Sequence, residues 1–270
     1  MIMQTLAPLT LFLLILAGSF SGFAAGMLGI GGGVVVVSAL VYLFHGQFGA
    51  SEYLQHTAVG TAFAVMVVTG LVNVFAQKKS QNVDWQVCKK FAPFLFLGVV
   101  VGSIFSLGLP EKVLRIIFVL FLYYASIKMF LSDPKPHNVG KLGFASVGSG
   151  IGVFSSWVGI GGGALMVPFF RYCGLSAHHA IGTSGVLTFP VALAGAVAYL
   201  SAGLNITNTI PHTVGFVYLP GLAILSLCTA LFVPLGSKAK TKLPAIWLKR
   251  LFGGMNITIA ILMTIKLWTM

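Results

Sequence analysis

Two long apolar stretches of the sequence, 6–44 and 141–173, are each interrupted by the same five residues, Gly-Ile-Gly-Gly-Gly, at 29–33 and 159–163. Glycine loses more conformational freedom in a helix than any other residue, so a run this rich in glycine does not continue one. Each stretch is therefore predicted to form a full-length helix, a glycine break and a short second helix. We expect the short helices to begin near Val34 and Ala164.

The composition sets the environment of these helices. Hydrophobic residues make up 57% of the chain and charged residues only 7%, and the mean hydropathy is +0.99. A soluble domain carries roughly 25% charged residues, so this chain is predicted to fold in lipid. A membrane span needs about 20 mostly apolar residues. Further stretches that meet this requirement lie at roughly 56–76, 91–109, 113–131, 141–158, 179–201, 213–233 and 246–268.

The order of motifs repeats along the chain. Small residues at every fourth position precede each glycine break, and Ala-Val-Gly-Thr (58–61) is matched later by Ala-Ile-Gly-Thr (180–183). The small residues are Gly18, Gly22 and Gly26 in one half and Gly148, Gly152 and Ser156 in the other. Leu-Pro opens the last helix of each half. These matches predict an internal duplication, with a first transmembrane repeat at 1–135 and a second at 136–270.

The sixteen lysines and arginines distinguish two topologies, because basic residues collect in cytoplasmic loops. If each interrupted stretch crosses the membrane once, the basic residues divide equally between the two sides. If each stretch turns back as a hairpin, all except Lys112, Arg115 and Lys266 lie on one side. The hairpin topology is therefore preferred, and it places both termini outside the cytoplasm.

Each half then makes an odd number of crossings, so the two halves are inverted relative to one another. The predicted fold class is an all-α polytopic membrane protein. It consists of two inverted repeats, each a glycine-broken helical hairpin plus three transmembrane helices.

The glycine breaks predict an anion site. Non-helical backbone persists inside a membrane only where protein buries it or a polar cavity wets it, and the start of each short helix presents free N–H groups and a positive dipole end. The four acidic residues fall in loops or at helix ends, which disfavours a cation: Glu52, Asp84, Glu111 and Asp133. Alternatively, the glycines only permit close helix packing. The candidate substrate-binding residues are Gly31, Gly32, Gly33, Val34, Thr61, Gly161, Gly162, Gly163, Ala164, Thr183 and Ser184.

Polar side chains around the breaks supply further candidates. Hydroxyl and amide groups occur at Ser38, Thr57, Thr61, Thr69, Asn73, Thr183, Ser184 and Thr188. Serine and threonine commonly bond their own helix backbone, but Thr61 and Thr183 stand out because they match in the duplication. His56, His178 and His179 are predicted either to reach the membrane interface or to gate transport and couple it to protons. Arg171 either recruits anions or anchors its helix.

Other function classes lack their motifs. The cysteines form no Cys-x-x-Cys pair, and the sequence contains no HExxH, GxxxxGK[ST] or GxSxG motif. Position 34 is valine, where a dinucleotide-binding loop would have its third glycine. We therefore expect no cofactor, no metal and no enzymatic activity. The net charge of +12 is interpreted as a topology signal rather than as a nucleic-acid-binding surface.

The motifs resemble those of the TauE/SafE family, the sulfite-exporter type. They are GMLGIGGG (26–33) with HTAVGTA (56–62), and SWVGIGGGALMVP (156–168) with HHAIGTS (178–184). The resemblance implies a multi-pass transporter of the bacterial inner membrane that moves sulfur-containing anions such as sulfite and organosulfonates, often outward. Ser38 stands opposite Pro168 and Ala62 opposite Ser184, so the two half-sites are not expected to be chemically equal.

Three functions are compatible with these observations. The first is a secondary transporter that exports a small sulfur-containing anion by alternating access, with protons as a candidate coupling ion. The second is a passive anion channel or facilitator, and the third is a membrane scaffold that transports nothing. The oligomeric state stays open.

Overall fold

The computed structural model describes residues 8–48, 53–130, 139–206, 210–240 and 245–268. These residues form the helices α1 (Pro8–Leu28), α2 (Gly33–Phe48), α3 (Leu54–Ser80), α4 (Trp85–Ser106), α5 (Glu111–Phe130), α6 (Lys141–Val158), α7 (Gly163–Tyr172), α8 (Ala177–Gly203), α9 (Leu219–Lys240) and α10 (Ala245–Trp268). A small antiparallel hairpin, β1 (Thr213–Val214) and β2 (Val217–Tyr218), precedes α9. The described part of the chain is therefore all-α apart from this hairpin. Glu52, Asp133, Lys135 and Lys242 lie outside the described residues.

Within this part of the chain, five helices are long and apolar enough to cross a membrane: α1, α3, α4, α8 and α9. The apolar α2 and α6 are shorter. Large apolar side chains such as Phe75, Ile104 and Leu227 are exposed on the outer surface, as expected of helices that contact lipid rather than water. The chain is a multi-pass membrane protein.

The predicted glycine breaks occur at both places. Backbone φ is positive at Gly29, Gly31 and Gly32 in the first break, and at Gly159 and Gly162 in the second. Only glycine adopts this region without strain, so the runs end one helix and redirect the chain into the next. The second helix of the first pair is longer than expected, because α2 continues for 16 residues while α7 stops after 10.

Helices of one half pack against helices of the other. The small residues of α1 face α9: a Cβ at Gly22 would lie 2.6 Å from Thr229 Cα, and one at Gly18 would lie 2.8 Å from Cys228 Cβ. The small residues of α6 face α4 in the same way, with Gly148 against Phe91 and Phe94. The helices of both pairs run parallel. In the predicted duplication, α1 corresponds to α6 and α9 corresponds to α4. Small residues let these backbones approach closely.

α3 packs against α8, and these two helices occupy matching positions in the predicted duplication. Gly195 of α8 contacts Phe63 of α3, and Gly185 contacts Asn73 and Gln77 further along α3. Positions therefore rise along α3 as they fall along α8, so these two helices run antiparallel. The short helices α2 and α7 pack against α3 and α8 respectively.

Two predicted span boundaries were wrong. The helix expected at 213–233 begins only at Leu219, because residues 213–218 form the β-hairpin around Gly215, whose φ is +57. The helix expected from 91 begins at Trp85, because Asp84 caps it by accepting hydrogen bonds from the N–H groups of Gln86 and Val87. Polar residues in the first turn of α4 concealed this start from a search for apolar stretches.

Candidate functional site

The two glycine breaks meet inside the protein. A Cβ at Gly31 would lie 3.4 Å from Gly161 Cα and 2.7 Å from Thr188 Cγ2. A Cβ at Gly33 would collide with the carbonyl of Gly159, and one at Gly163 would collide with the carbonyl of Gly29. Each short helix therefore begins directly against the opposite break. No larger residue fits at these two helix starts without moving backbone.

The short helices start with backbone donors that no described carbonyl accepts. Val35 is the first residue of α2 whose N–H reaches a carbonyl, that of Gly32, and Leu165 is the first in α7, bonding to Gly162. Gly33, Val34, Gly163 and Ala164 precede these donors and are buried. The starts of α2 and α7, each a positive helix end, therefore both lie at the crossing of the breaks.

Hydroxyl groups bind the carbonyls of both breaks. Ser21 donates to the carbonyl of Gly32 at 2.9 Å, and Ser184 donates to that of Gly29 at 3.1 Å. Thr188 lies at the crossing and donates to Ser184 O at 3.1 Å and Gly161 O at 3.4 Å. Of the predicted side-chain ligands, Ser184 is therefore placed at the breaks. Thr188, one turn later, joins it.

Thr61 and Thr183 are placed elsewhere. Thr61 accepts a hydrogen bond from the N–H of Tyr218 at 2.9 Å, and Thr183 accepts one from the N–H of Asp84 at 3.0 Å. The preceding glycines, Gly60 and Gly182, pack against the carbonyls of Phe216 and Asn82. Each Gly-Thr pair therefore holds the connector that leads into α9 or α4, and its hydroxyl already has a protein partner.

The histidines divide into one buried and two exposed residues. His56 is only 2% exposed, bonds through Nε2 to the carbonyl of Ser106 at 3.1 Å and packs on the ring of Phe216 in the β-hairpin. The imidazole of His56 is therefore packed inside the protein rather than exposed at its surface. His178 and His179 are exposed at the start of α8, where His179 contacts the capping hydroxyl of Ser176. Neither of these two lies at the breaks.

Arg171 is placed at the far end of α7 from the crossing. Its Nη1 donates to the carbonyl of Leu175 at 2.9 Å, just after the helix ends. A cation at a helix C-terminus is favoured by the helix dipole. This position is typical of an anchor and leaves the arginine outside the crossing.

The described residues contain no group of three or more His, Cys, Asp or Glu that could hold a metal ion. The described carboxylates have partners of their own. Asp84 caps α4, and Glu111 pairs with Arg115 at the start of α5. The crossing of the breaks therefore presents backbone N–H groups that no described carbonyl accepts, and the hydrogen bonds found there involve no described carboxylate.

The same chain matches a known family over nearly its whole length. The family model described as "Sulfite exporter TauE/SafE" covers residues 14–263. The chain belongs to the TauE/SafE family. No solved structure matches it.

Relatives of this TauE/SafE protein are described as transporters. A "Probable membrane transporter protein" of Haemophilus influenzae is 34% identical over 260 residues, which is 95% of this chain and 98% of that protein. "Probable membrane transporter protein MJ0441" of Methanocaldococcus jannaschii is 27% identical, covering 87% of this chain and 88% of that one. "Probable membrane transporter protein YdhB" of Bacillus subtilis is 25% identical, with coverages of 88% and 93%.

Some side chains near the breaks of this TauE/SafE protein were not singled out from the sequence. In the sequence, Asn73 is only one of several polar residues near the breaks, and Phe63, Gln77 and Tyr199 are not among the predicted site residues. All four are buried. The signal that could have found them is the duplication itself. In the register that matches Gly60 with Gly182, Asn73 stands opposite Gly195, Gln77 opposite Tyr199, and Phe63 opposite Gly185.

Proposed function

We propose that this TauE/SafE protein is a secondary transporter of a small sulfur-containing anion, of the sulfite or organosulfonate class, across the bacterial inner membrane. Export is the proposed direction. The observation that carries the proposal is the meeting of the two breaks, where two helix N-termini converge beside Ser184 and Thr188 with no described carboxylate nearby. Helix N-termini favour anions, and transporter binding sites are often built from such discontinuous helices.

Alternating access between inverted repeats is the proposed mechanism. The antiparallel contact of α3 with α8, and the matching contacts of α1 with α9 and α6 with α4, support two inverted repeats at 1–135 and 136–270. Residues around the crossing are buried, so the anion would reach them only after one half moves against the other. Both termini are then expected outside the cytoplasm, and a reporter fused after Met270 tests this side directly.

Flux measurements test the function. Proteoliposomes containing the full chain are loaded with sulfite or ethanesulfonate, and release is followed with and without a pH gradient. A proton-coupled carrier gives saturable flux that responds to the gradient. Flux that rises linearly with concentration and ignores the gradient would indicate a channel. No flux of either anion would favour the scaffold.

A glycine pair serves as the matched control. Gly31→Ala places a Cβ at a φ of +76, 2.7 Å from the Thr188 side chain, and is expected to reduce flux to that of empty vesicles. Gly46→Ala lies in α2, with nothing within 4 Å of the new Cβ, and is expected to leave flux unchanged. Equal flux in the two variants would show that transport does not depend on the glycine breaks.

A further inference from the structure

Two half-sites flank the crossing, and their side chains differ. The first half-site comprises Gly29, Asn73, Gln77, Ser184 and Gly185, with the start of α7 at Gly163. The second half-site holds the matching positions, which are Gly159, Gly195, Tyr199, Ala62 and Phe63, with the start of α2 at Gly33. In these positions the polar side chains of the first half-site are matched by alanine, glycine or tyrosine in the second.

The second half-site is filled by the protein. The ring of Phe63 lies against Gly195, so that a Cβ at Gly195 would lie 2.6 Å from it. Tyr199 is 1% exposed, stacks near Phe63 with ring centroids 5.9 Å apart, and donates to the carbonyl of Ser156 at 2.8 Å. Its hydroxyl also contacts Ser106 Oγ at 3.0 Å. The rings of Phe63 and Tyr199 fill the second half-site, and the Tyr199 hydroxyl already has two hydrogen-bond partners.

The first half-site holds an amide that has no hydrogen-bond partner among the described residues. Asn73 is fully buried, and among the described residues neither its Nδ2 nor its Oδ1 has a hydrogen-bond partner. Buried side-chain amides are nearly always bonded, because an unsatisfied one costs free energy. Gln77 lies one turn further along α3 and is also fully buried.

The side chain of Asn73 borders the position where Gly185 lacks a Cβ, beside the first break. A Cβ built at Gly185 would lie 3.9 Å from Asn73 Cγ, 3.8 Å from Gln77 Cγ and 3.5 Å from Gly29 Cα. These are ordinary contact distances, so the side chains of Asn73 and Gln77 and the first break border a gap that a Cβ would fit. Phe63 stands at the matching position of the other half, where it fills the corresponding space.

The donors around this space suit an oxyanion. The start of α7 abuts the carbonyl of Gly29, which brings the positive end of that helix to the same place. The amide of Asn73 offers two N–H donors, whereas the Ser184 hydroxyl is already donated to the carbonyl of Gly29. The described carboxylates, Asp84 and Glu111, are held in the α4 cap and the Arg115 pair. Sulfite and sulfonate oxygens accept such hydrogen bonds and gain from the helix end.

We propose that the anion binds only in the first half-site, where the side-chain amide of Asn73 donates to its oxygens, and that the second half-site is a permanent aromatic block. This proposal rests on the proposed transport function. The protein thus uses two matched backbone breaks but one set of anion ligands.

The test compares Asn73→Leu with Tyr199→Phe in the purified full chain. Unfolding temperature is measured with no anion, with sulfite and with ethanesulfonate, and dissociation constants are obtained by titration. Asn73→Leu keeps the side chain's size and removes no protein hydrogen bond, so its unfolding temperature without anion is expected to equal or exceed that of the wild type. Its affinity for the anions is expected to fall by about tenfold or more, because hydrogen bonds to charged groups are strong.

Tyr199→Phe is expected to show the opposite pattern. It loses the hydroxyl that bonds to Ser156 and Ser106, so the protein unfolds at a lower temperature, while anion affinity stays at the wild-type value. If the wild type responds to an anion and Asn73→Leu binds it equally well, the one-sided site is overturned while transport stands. If Tyr199→Phe weakens binding as much as Asn73→Leu does, the second half-site is not inert, and the proposal is again overturned.

Gly185→Ala supplies a second, independent variant. A Cβ fits there at ordinary contact distances, so the variant is expected to fold. The methyl group narrows the space beside Asn73 and is expected to weaken ethanesulfonate binding more than sulfite binding. Unchanged affinity for both anions would place them elsewhere. If the wild type neither binds nor transports either anion, the proposed function fails, and the site fails with it.

Discussion

The two predicted repeats of this TauE/SafE protein carry the same residues at the helix starts and connectors, and different residues around the crossing of the breaks. Gly33 and Gly163 press against opposite breaks, and Thr61 and Thr183 hold matching connectors. Met66 and Thr188, which match in the duplication, both touch Gly31, yet one is a thioether and the other a hydroxyl. Positions where the two halves carry the same residue therefore support the fold. Positions where they carry different residues can serve a different function in each half.

The largest effect is expected from the matched helix starts. Gly33→Ala and Gly163→Ala each drive a Cβ into the backbone of the opposite break, where no side chain can move aside. Overpacking of this kind costs about 1–3 kcal/mol or more, so both variants should lose most of their folded yield. Yield and unfolding temperature in detergent measure this. A large loss of folded yield in only one variant would mean that the two helix starts are not packed equally tightly.

The two matched histidines should behave differently. His56→Leu removes the bond to Ser106 O and the packing on Phe216, and is expected to destabilise the protein by about 1–3 kcal/mol. His178→Leu changes an exposed residue, for which about 0.5 kcal/mol or less is expected. Unfolding temperatures of the two variants provide the comparison. Similar small losses would indicate that burial of His56 contributes little.

The smallest difference between matched positions is expected at the two threonines, whose replacement should have equal effects. Thr61→Val leaves the Tyr218 N–H without its acceptor, and Thr183→Val does the same to the Asp84 N–H. Each is expected to cost about 1 kcal/mol, with anion affinity unchanged. Titration with sulfite decides between the connector role and the substrate-binding role predicted from sequence. Weaker binding in either variant would return that threonine to the site.

Much of the fold follows from the sequence because it depends on local chemistry. Glycine density gives the breaks, apolar length gives the spans, and the repeated motifs indicate which helices correspond. The start of α9 was misplaced because Val214, Phe216 and Val217 look like the beginning of an apolar span, whereas Gly215 turns them into a hairpin. No local signal separates these two outcomes over so few residues.

The candidate site was only half predictable. The backbone donors at Gly33 and Gly163 follow from the breaks, but a side chain's partner depends on what lies across the helix interface. Thr61 and Asn73 both look like polar residues in an apolar helix. One reaches the connector before α9, and the other faces Gly185. Thr61 and Asn73 are distinguished only by their tertiary neighbours, which are the β-hairpin that packs on His56 and the helix α8 that packs on α3.

The parallel contact of α1 with α9 also sets an order for assembly. Gly18, Gly22 and Gly26 form a surface whose partner, α9, is synthesised only after α2 to α8. We therefore expect this surface of α1 to face lipid or an insertion factor until α9 enters the bilayer. The two predicted repeats are then expected to mature together rather than one after the other.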